Sequence, residues 1–238
     1  EEVATAPVVS QSNREIYSSL FATLRWSPAL WLTISAAVLL NFSTTANSLN
    51  FTWMVRERGM DFGRTGIVNG LVVMIAGLWG TSGGGGISDW FHRRWAGGRL
   101  LFLIFKAGLI LPFTIGLYSL PTDAPYHLFY VCYAVCMFGS FSWYGPMFAT
   151  VQDLAPARIR ATAVAFFILV INVFGTGLGP LVAGKIGDAY SLWRGLAICA
   201  CVGYFSVIPL YFAARQYRNG VERARADEAG LAAVPSMA

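Results

Sequence analysis

The chain has 238 residues, of which 56% are hydrophobic and only 12% are charged, and its mean hydropathy is +0.56. A water-soluble domain usually carries about 25% charged residues, so this charge content is too low to cover a globular surface in water. The composition therefore excludes a soluble domain, a disordered chain and a coiled-coil rod, and it predicts a protein whose outer surface faces lipid.

Six apolar stretches follow one another along the chain. They run over about 28–55, 66–88, 100–119, 126–151, 159–184 and 192–214. Each is long enough to cross a membrane as a helix, which takes about 20 mostly apolar residues. The sequence thus predicts an all-α, polytopic bundle of six transmembrane helices over 28–214.

The two ends of the chain differ from this bundle. Residues 1–27 are polar at first and then weakly amphipathic, with Ile16, Leu20 and Leu24 on one stripe. This pattern predicts a linker with an interfacial helix. Residues 215–238 are charged and rich in alanine, which predicts a disordered tail.

The positive charges of the connections assign the two sides of the membrane, because Lys and Arg collect in cytoplasmic loops. The side that holds both termini carries eleven: Arg14, Arg25, Arg93, Arg94, Arg99, Arg158, Arg160, Arg215, Arg218, Arg223 and Arg225. The other side carries five: Arg56, Arg58, Arg64, Lys185 and Arg194. We therefore expect a multi-pass protein of the cell inner (plasma) membrane with both termini in the cytoplasm. Lys106, inside the third stretch, is expected to extend to the cytoplasmic surface.

The same charge balance bears on partners and cofactors. The 17 Lys and Arg residues against 12 Asp and Glu residues are accounted for by the loops, so no nucleic-acid partner is expected. The four cysteines lie in apolar stretches without a histidine placed to complete a zinc site: Cys132, Cys136, Cys199 and Cys201. We expect no metal and no other cofactor.

The connection between the second and third stretches combines glycine with charge. A run from Gly80 to Gly86 precedes Asp89, Arg93 and Arg94. Glycines let helices approach closely in lipid, and the arginines can pair with an acid such as Asp153. Ordinary close packing with positive loop charge is the alternative explanation.

This connection resembles the signature loop of the major facilitator superfamily, a Gly-x-x-x-Asp followed by basic residues, supplied here by Gly85, Asp89, Arg93 and Arg94. It departs from that pattern at Trp90, which is usually basic, and at His92, which is usually glycine.

Two further segments resemble bacterial spinster-like and organic-anion members of the superfamily. One runs from Gln152 through Pro156 and Arg160 to Ala161, with Gly179-Pro180 later, and the other is 53–59 at the end of the first stretch. Together the segments resemble the C-terminal six-helix half of such a transporter, over about residues 13–215.

The resemblance implies a fold of two six-helix halves with the substrate pathway between them. Spans one and four would line the pathway, spans two and five would meet the other half, and spans three and six would lie outside. The implied partner is an N-terminal six-helix half, beside the lipid bilayer and a small amphipathic or lipid-like substrate. The implied function is secondary active transport by alternating access.

Three groups of residues are predicted to carry this function. The substrate pathway would be lined by Asn41, Thr45, Ser48 and Thr52, with Thr44 and Asn47 beside them, and by Met137, Phe141, Tyr144 and Phe148 next to Tyr133. A cytoplasmic gate network would comprise Asp89, Arg93, Arg94, Asp153, Arg158 and Arg160. A bendable seam helix would contain Gly175, Gly179, Pro180 and Gly184.

Carboxylates are absent from the middle third of every predicted span, because Asp89, Asp153 and Asp188 lie at span ends. Proton-coupled carriers commonly use a buried carboxylate. If this carrier is proton-coupled, we expect its titrating acid on the partner half.

Other functions stay open on the sequence alone. A carrier of organic anions, sugar acids or drugs fits the same superfamily. Gly80 to Gly83 matches the Gly-x-Ser-Gly of rhomboid proteases, but Ser82 has only His92 and His127 as candidate bases, and neither is expected within reach. We therefore do not expect an enzyme. A six-helix scaffold or channel subunit, and a half-carrier that pairs with another copy, are further alternatives.

Overall fold

A computed structural model describes residues 27–232, with side chains through Asp227. Within this part of the chain, six helical segments are long and apolar enough to cross a membrane: Pro28–Arg56, Phe62–Arg94, Gly98–Ser119, Tyr126–Leu154, Ala157–Ala189 and Leu192–Asp227. The predicted all-α bundle of six spans is confirmed. The predicted interfacial helix falls in residues 1–26, outside the described residues.

Four of the six spans are interrupted. The first consists of Pro28–Ala46, a 3-10 turn at Asn47–Leu49 and Asn50–Arg56; the fourth of Tyr126–Phe141 and Tyr144–Leu154. The fifth follows a short 3-10 turn at Ala157–Ile159 and consists of Arg160–Val170, a π-helical segment at Ile171–Thr176 and Leu178–Ala189. The sixth consists of Leu192–Tyr204 and Val207–Ala232, whereas Phe62–Arg94 and Gly98–Ser119 are continuous.

Prolines account for three of these interruptions. Pro146, Pro180 and Pro209 each lie three to five residues after a break in the fourth, fifth and sixth spans. A proline has no backbone N–H to donate to the carbonyl four residues earlier, and its ring clashes with that carbonyl. Pro112, however, lies inside the continuous third span, so whether a proline interrupts a helix also depends on how neighbouring helices satisfy the freed carbonyl.

The first span is central in the bundle. It packs against the fourth, fifth and sixth spans, while the second span packs against the third and fourth. One apolar core, around Trp143 and Phe167, lies between spans one, three, four, five and six. A second core, around Trp53 and Phe129, lies nearer the end of the bundle where the first span ends and the fourth begins.

The turn after the first span ties two other spans together. The Glu57 carboxylate accepts a hydrogen bond from the backbone N–H of Trp193 at 3.1 Å, at the start of the sixth span. The Arg58 guanidinium donates to the carbonyls of Leu120 and Pro121 at 2.9 and 2.8 Å, just beyond the third span. The charged residues of this turn therefore cap neighbouring helices.

The sixth helix continues well past the predicted end of the bundle. It remains helical to Ala232, so the disorder predicted for 215–238 is wrong for residues 215–232. Tyr217, Gly220 and Ala224 are buried in register with Ala213. Residues spaced by three and four positions lie on one face of a helix. This face packs against the bundle.

Candidate functional site

A charged cluster joins four spans where the second span ends and the third begins; we call this end of the bundle the basic end. Arg99 donates from Nε to Asp89 Oδ1 at 2.8 Å and from Nη1 to Asp153 Oδ2. The Tyr217 hydroxyl donates to the same Asp153 oxygen at 2.6 Å. The second, third, fourth and sixth spans are therefore joined through Arg99 and Asp153.

The arginine of this cluster is not one that the sequence pointed to. The sequence predicts that Arg93 or Arg94 pairs with Asp153, but both arginines are exposed, and Arg94 lies 4.3 Å over the Trp90 ring instead. The chain turns between the two spans through Gly97, whose φ is +74°. Glycine adopts this left-handed turn readily. The turn reverses the direction of the chain, so that Arg99 at the start of the next helix reaches Asp89.

The remaining predicted gate residues follow the fourth span. Arg158 and Arg160 are both exposed. Arg160 Nε donates to the Gln152 carbonyl at 3.1 Å, which links two consecutive spans at the basic end.

A second polar contact holds the first span to the π-helical segment of the fifth. Asn41 Nδ2 donates to the Ile171 carbonyl at 2.7 Å and to Thr176 Oγ1 at 3.0 Å, and Asn41 Oδ1 accepts from the Tyr144 hydroxyl at 3.3 Å. A π-helical turn disturbs the regular helical hydrogen bonds and often marks a functional position. The Asn41 amide supplies one of the donors that this segment needs.

Thr45 makes the next contact along the same face, because its hydroxyl lies 3.1 Å from the Gly175 carbonyl. The fifth span offers no Cβ atoms here: a Cβ on Gly175 would lie 2.6 Å from Asn41 Nδ2, and one on Gly179 would lie 2.5 Å from Thr45 Oγ1. These glycines therefore let the first and fifth spans approach closely.

The predicted seam helix carries two of its glycines on its inner face. Gly175 and Gly179 are buried within this bundle. Pro180 and Gly184 are half-buried, and a Cβ on Gly184 would lie 3.9 Å from Leu49. The outer face of the fifth span carries large apolar side chains instead.

The predicted pathway residues divide by burial. Asn41 is 2% exposed and Met137 is 3% exposed, so both side chains pack inside this bundle and neither faces an open wall of it. Ser48 is exposed, whereas Thr45 and Thr52 are half-buried. Asn41, which is hydrogen-bonded to the π-helical segment, and Met137 belong to the packed interior of the bundle.

The aromatic residues of the fourth span are mostly half-buried: Phe141, Tyr144 and Phe148. Phe148 contacts Phe167 edge-on at 5.1 Å, while Tyr133 is buried and donates to Asn69 Oδ1 at 2.5 Å. The outer part of this face is therefore the one that could line a pathway.

A cavity of about 80 Å³ lies between spans one, three, four and six. Its polar lining includes Ser43, Thr44, Asn47, Thr114, Ser140 and Tyr204. Lys106 also lines it, 8% exposed, and donates to the Gly139 carbonyl at 2.8 Å. The expectation that Lys106 extends to the membrane surface is wrong, because the nearby break in the fourth span offers its ammonium a carbonyl inside the bundle.

Ser82, the candidate protease nucleophile, has no histidine beside it among the described residues. It is exposed on the second span, and His92 lies ten residues further along the same helix, about 15 Å away at 1.5 Å per residue. The His92 ring contacts Tyr217, with 5.8 Å between centroids. His127 begins the fourth span at the opposite end. Nucleophilic catalysis needs the base within hydrogen-bond reach.

The second and fifth spans are the least covered parts of the bundle. Only 11% and 22% of their most apolar windows are buried, against 44% for the first and fourth spans. The second span packs on the fourth through Gly80 and Gly84, where a Cβ would lie 2.8 and 2.5 Å from fourth-span carbonyl oxygens. Its other side is open at Leu71, Met74 and Leu78.

Comparisons with known proteins agree with this architecture, although no family profile matches the chain. The chain is 29% identical over 202 residues to an MFS-type efflux pump of Mycolicibacterium smegmatis (strain ATCC 700084 / mc(2)155). The aligned region covers 81% of the chain and 45% of the pump. The chain thus spans about half the length of this curated relative.

Two solved structures share the fold. Both are of a bacterial homologue of the human lysosomal transporter Spinster in an inward-facing conformation. The unoccupied form matches with a TM-score of 0.77 at 15% identity over 92% of this chain and 53% of that one. The occupied form matches with a TM-score of 0.61 at 18% identity over 82% and 49%. These comparisons agree with the resemblance drawn from the sequence: this chain shares the fold of about half of that transporter structure.

Proposed function

We propose that this chain is the C-terminal half of a secondary transporter that moves an amphipathic or lipid-like organic molecule by alternating access. The observation that carries the proposal is the uncovered apolar surface of the second and fifth spans. In a chain about half as long as its relatives, this surface is where a second six-helix half would dock. The first and fourth spans would then border the space between the halves.

The substrate wall follows from the residues that remain accessible on those two spans. Ser48 is exposed, and Phe141, Tyr144 and Phe148 are half-buried. A wall of aromatic rings with few hydroxyl groups suits the acyl or ring portion of an amphipathic molecule. The efflux pump relative makes a drug-like substrate the second candidate.

The Arg99 cluster would close the basic end. An arginine that joins acids from two other spans can form these bonds in one arrangement of the packed helices and lose them in another. It then stabilises the arrangement in which the bonds form. We propose that the basic end is cytoplasmic and that the protein lies in the inner membrane with both termini inside. The titrating acid of any proton coupling would be supplied by the other half.

Two measurements test the docking proposal and the topology. The purified gene product should have an intact mass about twice the 25.9 kDa of this chain, or should contain a separate six-span partner in equal amount. A six-span product without a partner would contradict the proposal. Reporter fusions after Ala232 should be active in the cytoplasm, and periplasmic activity would reverse the assigned sides.

Transport is tested with the complete gene product in liposomes. We expect uptake of a fluorescent lysolipid or a hydrophobic dye, with little uptake of glucuronate, which tests the sugar-acid alternative. Ser48→Trp should slow uptake at least tenfold, since the new ring would fill the accessible wall. Tyr190→Trp, a similar ring at another exposed position, should leave the rate unchanged. Equal rates for both variants would exclude Ser48 from the pathway.

A further inference from the structure

Lys106 places its amino group inside the bundle without an acidic partner in the described part of the chain. It lies eight residues beyond Gly98, about 12 Å along the helix from the start of the third span. Its ammonium group has three donors, and the Gly139 carbonyl at 2.8 Å is the acceptor that residues 27–227 supply. The cavity beside it has no Asp or Glu in its lining.

A buried charge of this kind is costly unless it is paired and hydrogen-bonded. One neutral carbonyl does not balance an ammonium charge, whereas an anion in the adjoining cavity would. The cavity of about 80 Å³ is several times the roughly 15 Å³ that one water needs by the same measure. A carboxylate group with its remaining waters therefore fits.

The cavity wall also supplies hydroxyl donors. The Ser140 hydroxyl oxygen accepts a hydrogen bond from Asn47 Nδ2 at 3.0 Å, which leaves its proton for an acceptor in the cavity. Thr44 and Trp143 are already paired, because Trp143 Nε1 donates to Thr44 Oγ1 at 3.0 Å and that hydroxyl lies 3.2 Å from the Ser140 carbonyl. The fixed pairs hold Ser140 in place.

We propose that this cavity binds one carboxylate group, with the Lys106 ammonium as its counter-ion and the Ser140 hydroxyl as a second donor. A single cation matches a monovalent anion better than a phosphate dianion, which proteins usually bind with several positive or backbone donors. The proposal does not depend on transport, because it concerns binding to this half of the fold.

The test measures thermal unfolding of the complete protein in detergent while a carboxylate is added. Acetate is the probe for a free anion, sodium decanoate is the probe for the head of an amphipathic molecule, and decanol is its uncharged control. At ten times the dissociation constant, a bound probe should raise the melting temperature by about 1–3 °C, the lower value applying to a protein twice the length of this chain. Stabilisation by acetate would identify a free carboxylate site, and stabilisation by decanoate alone would identify a headgroup site.

Three variants make the test specific to the cavity. Lys106→Met should abolish the shift, while Lys185→Met, at an exposed lysine of the fifth span, should keep it. Ser140→Ala should weaken binding about fivefold, as expected for one lost hydrogen bond, and it keeps the test usable if Lys106→Met does not fold. No shift with either carboxylate, an equal shift with decanol, or an unchanged shift in Lys106→Met or Ser140→Ala would overturn the proposal.

Discussion

Replacing Arg99 by glutamine removes the shared partner of two acids and should destabilise the protein by about 2 kcal/mol. The Asp89 side chain is 52% exposed, so its contact is close to a surface ion pair and contributes about 0.5 kcal/mol. The Asp153 side chain is 35% exposed and the Arg99 side chain only 16%. That contact is better shielded, and a hydrogen bond to a charged group contributes about 1.5 kcal/mol.

The assay is thermal unfolding of the purified protein, followed by tryptophan fluorescence in detergent. A loss of about 2 kcal/mol corresponds to a melting temperature lowered by about 4–8 °C for a protein of this size. Arg93→Gln is the matched control, because Arg93 is exposed beside the same loop, and it should change stability by less than about 0.5 kcal/mol.

The two arms of the cluster can be separated by neutralising each acid. Asp153→Asn should lower the melting temperature more than Asp89→Asn, since Asp153 also accepts from the Tyr217 hydroxyl. If Arg93→Gln destabilises as much as Arg99→Gln, or if Asp89→Asn is the more harmful change, the assignment of Arg99 as the central contact is refuted.

Three further variants test contacts that the structure places elsewhere. Asn41→Leu should cost about 2–3 kcal/mol, because it leaves π-segment groups without their donor, whereas Ser48→Leu at an exposed position should cost little; equal losses would contradict the pairing. Gly84→Ala should cost about 1–3 kcal/mol, since its Cβ would lie 2.5 Å from a fourth-span carbonyl oxygen. Gly86→Ala, with nothing within 4 Å of its Cβ, should be neutral or stabilising, and the opposite order would show that the second span packs differently. Tyr217→Phe should cost about 1 kcal/mol; no change in unfolding would mean that the helix beyond residue 214 is not docked on the bundle.

The sequence by itself determined the six spans, because a lipid solvent demands long apolar helices whose backbone groups are satisfied internally. Three breaks lie near Pro146, Pro180 and Pro209, because a proline frees the carbonyl four residues earlier, but Pro112 lies inside the continuous third span, so the sequence alone did not decide which prolines interrupt a helix. The loop motifs were sufficient to indicate the transporter fold, which the structural comparison confirms. These features depend on composition and short-range spacing.

Tertiary structure decided which polar residues meet. Arg99, and not Arg93, joins the two acids, because the left-handed turn at Gly97 sets where the third span begins. Asn41 donates a hydrogen bond to a π-helical segment 130 positions away. Lys106 donates to a carbonyl inside the bundle. Helical spacing shows that residues share a face, but only the packed bundle shows whether that face meets lipid, a cavity or another helix.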